Sequence, residues 1–204
     1  ADIAALAPGL VWVGYLSTTG VYGDRGGEWV DEESPLAPTT ERGARRVEAE
    51  AGWRALAEAH GLPLHIFRLA GIYGPGRNQL ETVRAGTARR LHKPGQVFSR
   101  IHVEDVAACL LASLRRPRPG AVYNLCDDEP APPAEVVAHA AALLGVPPPP
   151  LEDFETAAPT LSPMARSFYA ESKRVRNDRL AAELGVRLRY PSYREGLAAL
   201  AATL

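Results

Sequence analysis

The chain has 204 residues, of which 46% are hydrophobic and 23% are charged, and its formal net charge is −1. These values suit one globular domain, or one domain plus a small lobe, and exclude a disordered or fibrous chain. Near-zero net charge gives no general attraction for nucleic acid or an anionic membrane, so neither is an expected partner. Charges or prolines interrupt every long apolar stretch before the roughly 18 residues that a membrane span needs.

Two cysteines, Cys109 and Cys126, lie in apolar sequence without metal-ligand spacing, and the five histidines show no such spacing either. We therefore expect buried thiols, no metal site and a reducing, cytoplasmic location. The first residues, Ala1 to Ala5, lack the basic region of a signal peptide and an initiator Met, so the chain is interpreted as starting internally.

In chain order, the first predicted strand is the apolar run 10–16, which is expected to be buried on both faces and to end at a polar loop. Residues 20–38 are rich in Gly, Pro and acids and predict a long surface loop. From Thr39 or Thr40 to His60, apolar residues recur at helical spacing, and the following Gly-Leu-Pro ends the predicted helix.

The remaining pattern alternates strands and helices, which is typical of a parallel α/β sheet. Strands are predicted at 63–70, 96–101 and 121–125, and helices at 79–91, 103–115, 133–144, about 176–184 and 192–203. The proline run 147–150 is interpreted as a stiff connector. It divides the chain into a domain at 1–146 and a C-terminal lobe at 147–204.

Four motifs in order carry a family resemblance: Ser-Thr-Thr-Gly-Val-Tyr-Gly at 17–23, Arg-Leu-Ala-Gly-Ile-Tyr-Gly-Pro-Gly at 68–76, Ile-His-Val-Glu-Asp-Val-Ala at 101–107, and Val-Tyr-Asn-Leu at 122–125. The series resembles the extended short-chain dehydrogenases/reductases, the NAD-dependent epimerase/dehydratase family. The resemblance implies a doubly wound parallel sheet of Rossmann type with a small C-terminal substrate lobe. It also implies NAD or NADP as cofactor and a small-molecule substrate, often a nucleotide sugar.

One departure from the family concerns the phosphate-binding loop. No G-x-G-x-x-G or G-x-x-G-x-x-G loop follows a predicted strand in this chain, although the family places such a loop at its start. By this likeness the chain opens just before the fifth strand of the sheet. We therefore expect that the first strands, on the order of 80 residues, are missing.

The second departure concerns catalysis. The family uses a Ser/Thr to hold the substrate oxygen, a Tyr as acid/base, and a Lys four residues after the Tyr. Thr18 matches the Ser/Thr, whereas Arg42 stands in place of the Tyr and Arg46 in place of the Lys. A guanidinium, with a pKa above about 12, cannot exchange a proton at neutral pH. Arg46 keeps the ability to donate hydrogen bonds to a ribose.

The resemblance also assigns binding residues. The cofactor-binding set is Ser17, Thr18, Arg46, Leu69, Ala70, Gly71, Ile72 and Tyr73. The candidates for substrate binding are Tyr22, Arg77 and Arg100. The two arginines belong to the basic segment 77–100, which could hold phosphate; the alternative is that this segment is a solvated helix face. Tyr22, Tyr73 and His102 are candidate substitute acids, although a structural role is preferred for His102 and Asp105.

Two functions remain open. The protein is either an NAD(P)-dependent epimerase/dehydratase- or reductase-like protein with altered chemistry, or a non-catalytic dinucleotide-binding or regulatory protein. A structural module that binds no nucleotide is a third option. The helix at 40–60 has apolar residues on more than one flank, and family relatives pair through this helix, which suggests a homodimer.

Overall fold

The computed structural model describes residues 9–204. Nine strands run along it: β1 (Val13–Thr18), β2 (Trp29–Val30), β3 (Leu64–Leu69), β4 (Gly71–Tyr73), β5 (Arg90–His92), β6 (Arg100–His102), β7 (Val122–Leu125), β8 (Leu151–Asp153) and β9 (Arg174–Val175). The largest sheet has three parallel strands in the order β1-β3-β7. The other strands form parallel pairs, β2 with β9, β4 with β6 and β5 with β8.

The helices lie between these strands. They are α1 (Glu41–His60), α2 (Gln79–Arg84), α3 (Val103–Arg115), α4 (Pro133–Leu143), α5 (Phe154–Ala157), α6 (Pro163–Phe168), α7 (Asp178–Leu184) and α8 (Tyr193–Ala201). The Thr40 hydroxyl caps α1 by accepting a hydrogen bond from the Gly43 amide, and Gly61 ends it with a φ of 63°. The helix predicted from Thr39 or Thr40 to His60 is therefore confirmed.

Helices cover both faces of the three-stranded sheet. Phe67 and Leu69 of β3 point to one face, where they pack in a core with Val106 of α3 and Leu180 of α7. Arg68 points to the opposite face, where it meets Glu50 of α1. A parallel sheet with helices on both faces confirms the predicted Rossmann-type α/β fold.

The first strand differs from its prediction in extent and burial. β1 begins at Val13, and Val11 and Leu16 are 69% and 44% exposed rather than buried. Among residues 9–204, β1 pairs with β3 alone.

Two further predictions are corrected. The helix predicted at 79–91 ends at Arg84, because Gly86 adopts a φ of 67° and the Thr87 and Ala88 amides both turn back to the Thr82 carbonyl. The loop predicted at 20–38 contains a 3-10 turn, Thr19–Tyr22, and the short strand β2.

Residues on either side of the proline run are interleaved in space. β8 and β9 follow the prolines but pair with β5 and β2, which precede them. The boundary at 146/147 stays a prediction. Over the described range 9–204, no helix combines the length and apolarity needed to cross a membrane.

A buried ion pair holds α1 to the sheet. The Arg68 guanidinium binds the Glu50 carboxylate through two bonds, Nη2 to Oε2 at 2.9 Å and Nε to Oε1 at 3.1 Å, and both side chains are buried. The Ser17 hydroxyl donates to the same carboxylate at 2.7 Å. Burial by itself would raise the pKa of Glu50, but the hydrogen bonds from Arg68 and Ser17 outweigh it, and the pKa lies below its ordinary value.

We expect Glu50→Gln to lower the free energy of unfolding by about 3–5 kcal/mol, because it leaves a buried guanidinium without its counter-charge. Urea unfolding followed by circular dichroism measures the change. Arg54→Gln is the matched control, since Arg54 is half-exposed and contacts the same carboxylate from the surface. A Glu50→Gln loss no larger than that of the control would contradict the role given to the pair.

Candidate functional site

The predicted catalytic Thr18 lies at the carboxyl end of β1. It is in register with Leu69 at the end of β3, so Thr18 and the residues 70–72 that lead into β4 share one edge of the sheet. The Thr18 side-chain oxygen accepts a hydrogen bond from the Gly20 amide at 3.1 Å, and Gly71 and Ile72 are exposed. The carboxyl edge of an open parallel sheet is where such folds bind ligands.

The start of α1 packs against this edge. A Cβ on Gly43 would lie 2.8 Å from the Gly20 carbonyl oxygen, so only glycine permits the approach without a shift. Arg46 reaches back along β1, where its Nη1 donates to the Tyr15 hydroxyl at 3.1 Å and to the Leu16 carbonyl at 3.2 Å. Arg42 contacts α6, with Nη1 at 3.7 Å from the Met164 sulfur.

Several predicted binding residues point inward. Leu69 belongs to the core, and the Ser17 hydroxyl is committed to Glu50. Tyr22 is fully buried; its hydroxyl donates to Asn124 Oδ1 at 2.7 Å and accepts from Arg68 at 2.9 Å. Burial raises the pKa of Tyr22 to about 12. This side chain therefore belongs to the buried network rather than to a substrate-facing surface.

The other two candidate acids are also enclosed. The Tyr73 ring packs on α8, where a Cβ on Gly196 would lie 2.0 Å from its hydroxyl, and burial raises the Tyr73 pKa. Burial lowers the pKa of His102, whose Nδ1 accepts a hydrogen bond from the Glu104 amide. Asp105 accepts backbone N–H bonds, as predicted, but from residues 189 and 190.

Arg100 is half-buried, and its binding of a substrate anion stays a prediction. Its Nη1 donates to the carbonyls of Phe98 and Ala131 at 2.8 and 3.1 Å, and burial lowers its pKa. Arg77 lies in an exposed turn, where its amide and carbonyl both bond to Gly74. Of the three predicted substrate contacts, Arg77 is exposed, Arg100 is half-buried and Tyr22 is buried.

The sequence reasoning missed Asp127, which follows β7 and lies near Arg100. Its side chain is 1% exposed, and neither carboxylate oxygen has a hydrogen-bond partner among the described residues. Burial is the main cause that raises its pKa to about 8, against the attraction of Arg100. The available signal was an acidic run, Asp127 to Glu129, placed directly after a buried strand.

A separate cavity of about 320 Å³ lies between β5, β8 and the start of α4. Three of its lining side chains are cationic, Arg90, Lys93 and Arg174, and His92 lies beside them. Arg90, Lys93 and Arg174 donate to backbone carbonyls of Ala134, Tyr169 and Gly27, which are neutral acceptors. Glu135 is the acidic residue of the lining, so the cavity has an excess of positive charge.

The outer face of α1 carries a shallow apolar recess, lined by Ala49, Gly52, Trp53, Ala55 and Leu56. This is the helix for which the sequence suggests a homodimer, and the homodimer stays a prediction. Within the part of the chain that the structure covers, no group of three or more His, Cys, Asp or Glu side chains could hold a metal ion.

Parallel strands, helices on both faces and a polar carboxyl edge define an α/β protein of Rossmann type. The sequence model of the NAD dependent epimerase/dehydratase family matches residues 4–126, so the chain belongs to this family. The resemblance found in the motifs is therefore confirmed.

Individual relatives agree with this membership. Protein YeeZ of Escherichia coli K12 is 32% identical over 191 residues, which are 92% of this chain and 62% of YeeZ. The chain thus spans less than two thirds of that relative. A second relative is a functionally unknown conserved protein from Silicibacter pomeroyi DSS, whose structure has a TM-score of 0.91 and a sequence 62% identical to this chain. The alignment covers 99% of this chain and 69% of the Silicibacter pomeroyi chain.

A more distant structure shows the same fold. Human epimerase family protein SDR39U1 (isoform 2), solved with NADPH, is 20% identical and has a TM-score of 0.81. The alignment covers 100% of this chain and 70% of the human chain.

We expect Asp127→Asn to change how stability depends on pH. Because the pKa of Asp127 is raised from 3.8 to about 8 by folding, its protonated form favours the folded state below about pH 4, and this contribution is lost as the pH rises through about 8. The asparagine variant stays neutral, so at pH 8–9 its free energy of unfolding should exceed that of the wild type by a few kcal/mol, at about 1.4 kcal/mol per pKa unit.

Chemical unfolding at several pH values between 4 and 9 measures this effect. Asp128→Asn is the control, because this substitution removes the same charge from an exposed position. Parallel pH profiles for wild type and Asp127→Asn would show that Asp127 is ionised in the folded protein at neutral pH.

Proposed function

We propose that the protein is an NAD(P)-dependent epimerase/dehydratase- or reductase-like protein acting on a small polar substrate of the nucleotide-sugar type. The observation that carries the proposal is that Thr18 lies at the same edge of the sheet as the exposed Gly71 and Ile72 of β4, with Arg46 of α1 bonded to β1 nearby. Family membership supports a nicotinamide nucleotide, as does the NADPH held by SDR39U1. NAD and NADP are both compatible with this edge, and the two buried free thiols fit a cytoplasmic location.

The residues present fit the nicotinamide end of such a cofactor. Ala70 and Gly71 have little or no side chain, so their backbone permits close approach of a flat ring. Arg46 uses one nitrogen for its two contacts and keeps further N–H groups for a ribose hydroxyl. The glycine-rich loop that would hold a pyrophosphate is not found in these 204 residues, so no contact to that end is derived.

A bound nicotinamide would accept or supply the hydride. Thr18 would hold the substrate oxygen: its oxygen already accepts the Gly20 amide, so its own proton is free to be donated. Arg42, which stands in place of the acid/base tyrosine, supplies charge and hydrogen-bond donors but no exchangeable proton at neutral pH.

The basic cavity beside β5 and β8 supports the substrate class. Its size is at the lower end of ligand pockets, and its positive lining suits a phosphate-bearing group. This cavity replaces Tyr22 as the proposed phosphate contact, because that side chain points inward.

One observation favours the second candidate, a non-catalytic dinucleotide-binding or regulatory protein. Tyr22, Tyr73 and His102 are the side chains that would replace the missing proton carrier, and all three are buried. A protein with this edge could bind the nucleotide and yet have no acid placed to complete the reaction.

We expect the purified full-length protein to bind NADH or NADPH, with an increase in nicotinamide fluorescence. Arg46→Gln should weaken this binding about tenfold, because it removes a charge-assisted hydrogen bond. Arg45→Gln, which changes the neighbouring exposed residue paired with Glu41, is the control and should bind as the wild type does.

Absorbance of the reduced nicotinamide with candidate nucleotide sugars then separates the two functions. Oxidation or reduction of the nicotinamide supports the enzyme. Binding without turnover supports the non-catalytic protein, and absence of binding to either nucleotide overturns both.

A further inference from the structure

Two arginines on one face of α1 lack an acidic partner. Arg45 pairs with Glu41 and Arg54 pairs with Glu50, so the helix provides carboxylates for two of its arginines. For Arg42 and Arg46, no carboxylate lies within ion-pair distance among residues 9–204. Their contacts are a sulfur, an aromatic ring, a phenol and a backbone carbonyl, all neutral.

The stability of α1 does not explain why arginines without an acidic partner stand at positions 42 and 46. Arg42 is the second residue of α1, and Arg46 follows four residues later, so both side chains lie on the same face. A cation in the first helical turn is disfavoured by the helix dipole, and like charges four residues apart repel each other. An anion between the guanidinium groups would offset both costs, because it attracts both cations and is itself favoured near the start of a helix.

The fold brings this pair to the proposed catalytic edge. Gly43, between the two arginines, packs on the carbonyl of Gly20, two residues after Thr18, at a distance that admits no larger residue without a shift. The start of α1, from which both arginines extend, therefore lies close to the residue proposed to hold the reacting oxygen.

Helix α6 places two apolar side chains beside Arg42. Met164 contacts Arg42, and the Phe168 ring lies 5.8 Å from the Arg42 guanidinium carbon, although these two side chains are still 59% and 48% exposed. The nearby Glu171 carboxylate is occupied, since it accepts from Thr39 and pairs with Lys173. Apolar groups beside an ion pair strengthen it by excluding water.

We propose that Arg42, with Arg46 beside it, receives an anionic group of the substrate, a carboxylate or a phosphate, beneath α6. The inference rests on the proposed function, because it assigns the ligand of Arg42 to the substrate of that site. It gives the tyrosine-to-arginine replacement a role: the position orients a charged substrate instead of carrying a proton. The anion is the only ligand assigned to Arg42, whereas Arg46 contacts both the anion and the cofactor.

Binding of three probes to the full-length protein tests the proposal: benzoate, its neutral analogue benzamide, and inorganic phosphate. Titration calorimetry is done with and without NADPH, on wild type, Arg42→Gln, Arg46→Gln and Arg45→Gln. We expect at least one anion to bind the wild type and Arg45→Gln equally, and to bind Arg42→Gln about tenfold to a hundredfold more weakly. Benzamide should bind far more weakly than benzoate.

The two anions separate the two sources of charge. Preference for benzoate indicates a carboxylate substrate, and preference for phosphate indicates a phosphorylated one. NADPH binding should be unchanged in Arg42→Gln and weakened in Arg46→Gln.

The proposal is overturned if neither anion binds the wild type, if Arg42→Gln matches Arg45→Gln, or if benzamide binds as tightly as the preferred anion. These failures differ from failure of the proposed function, which would be the absence of nicotinamide nucleotide binding by the wild type. Arg42-dependent anion binding without any nucleotide binding would keep the anion site and remove its assignment to a dehydrogenase substrate.

Discussion

A guanidinium and a carboxylate meet in the interior of this protein, and the placement of α1 follows from their pairing. Arg68 extends from the central strand β3, and Glu50 lies in the third turn of α1. Neither charge could remain buried without the other, because removing an ion from water costs several kcal/mol unless a partner and hydrogen bonds replace the water. The bidentate geometry therefore fixes both the rotation of α1 and its height above the sheet.

The same network reaches all three strands of the sheet. Ser17 of β1 donates to Glu50, while Tyr22 accepts from Arg68 and donates to Asn124 of β7. Every member has partners, which is the condition under which a buried polar network stabilises one packing arrangement. Tyr22, which resembles a ligand-facing residue in sequence, is part of this internal support.

The functional edge depends on this arrangement. With Glu50 fixed, Arg46 and Arg42 lie one and two turns closer to the start of α1, beside Thr18 at the end of β1. The chain belongs to the epimerase/dehydratase family. In our proposal Arg42 and Arg46 bind an anion, because a guanidinium keeps its charge and its hydrogen-bond donors but cannot exchange a proton at neutral pH.

The sequence by itself determined the fold class, the family and the position of Thr18, because these depend on local patterns: apolar strands, glycine-rich turns and motifs in fixed order. It also placed α1, whose capping threonine and terminal glycine are local signals. Tertiary structure alone decided which side chains face the solvent. Tyr22 and Tyr73 follow predicted strand ends in the sequence, yet they turn inward because partners from distant segments enclose them. Asp127 and the Glu50–Arg68 pair were not identified from the sequence, since a charged residue is recognised as buried only when the elements packed around it are known.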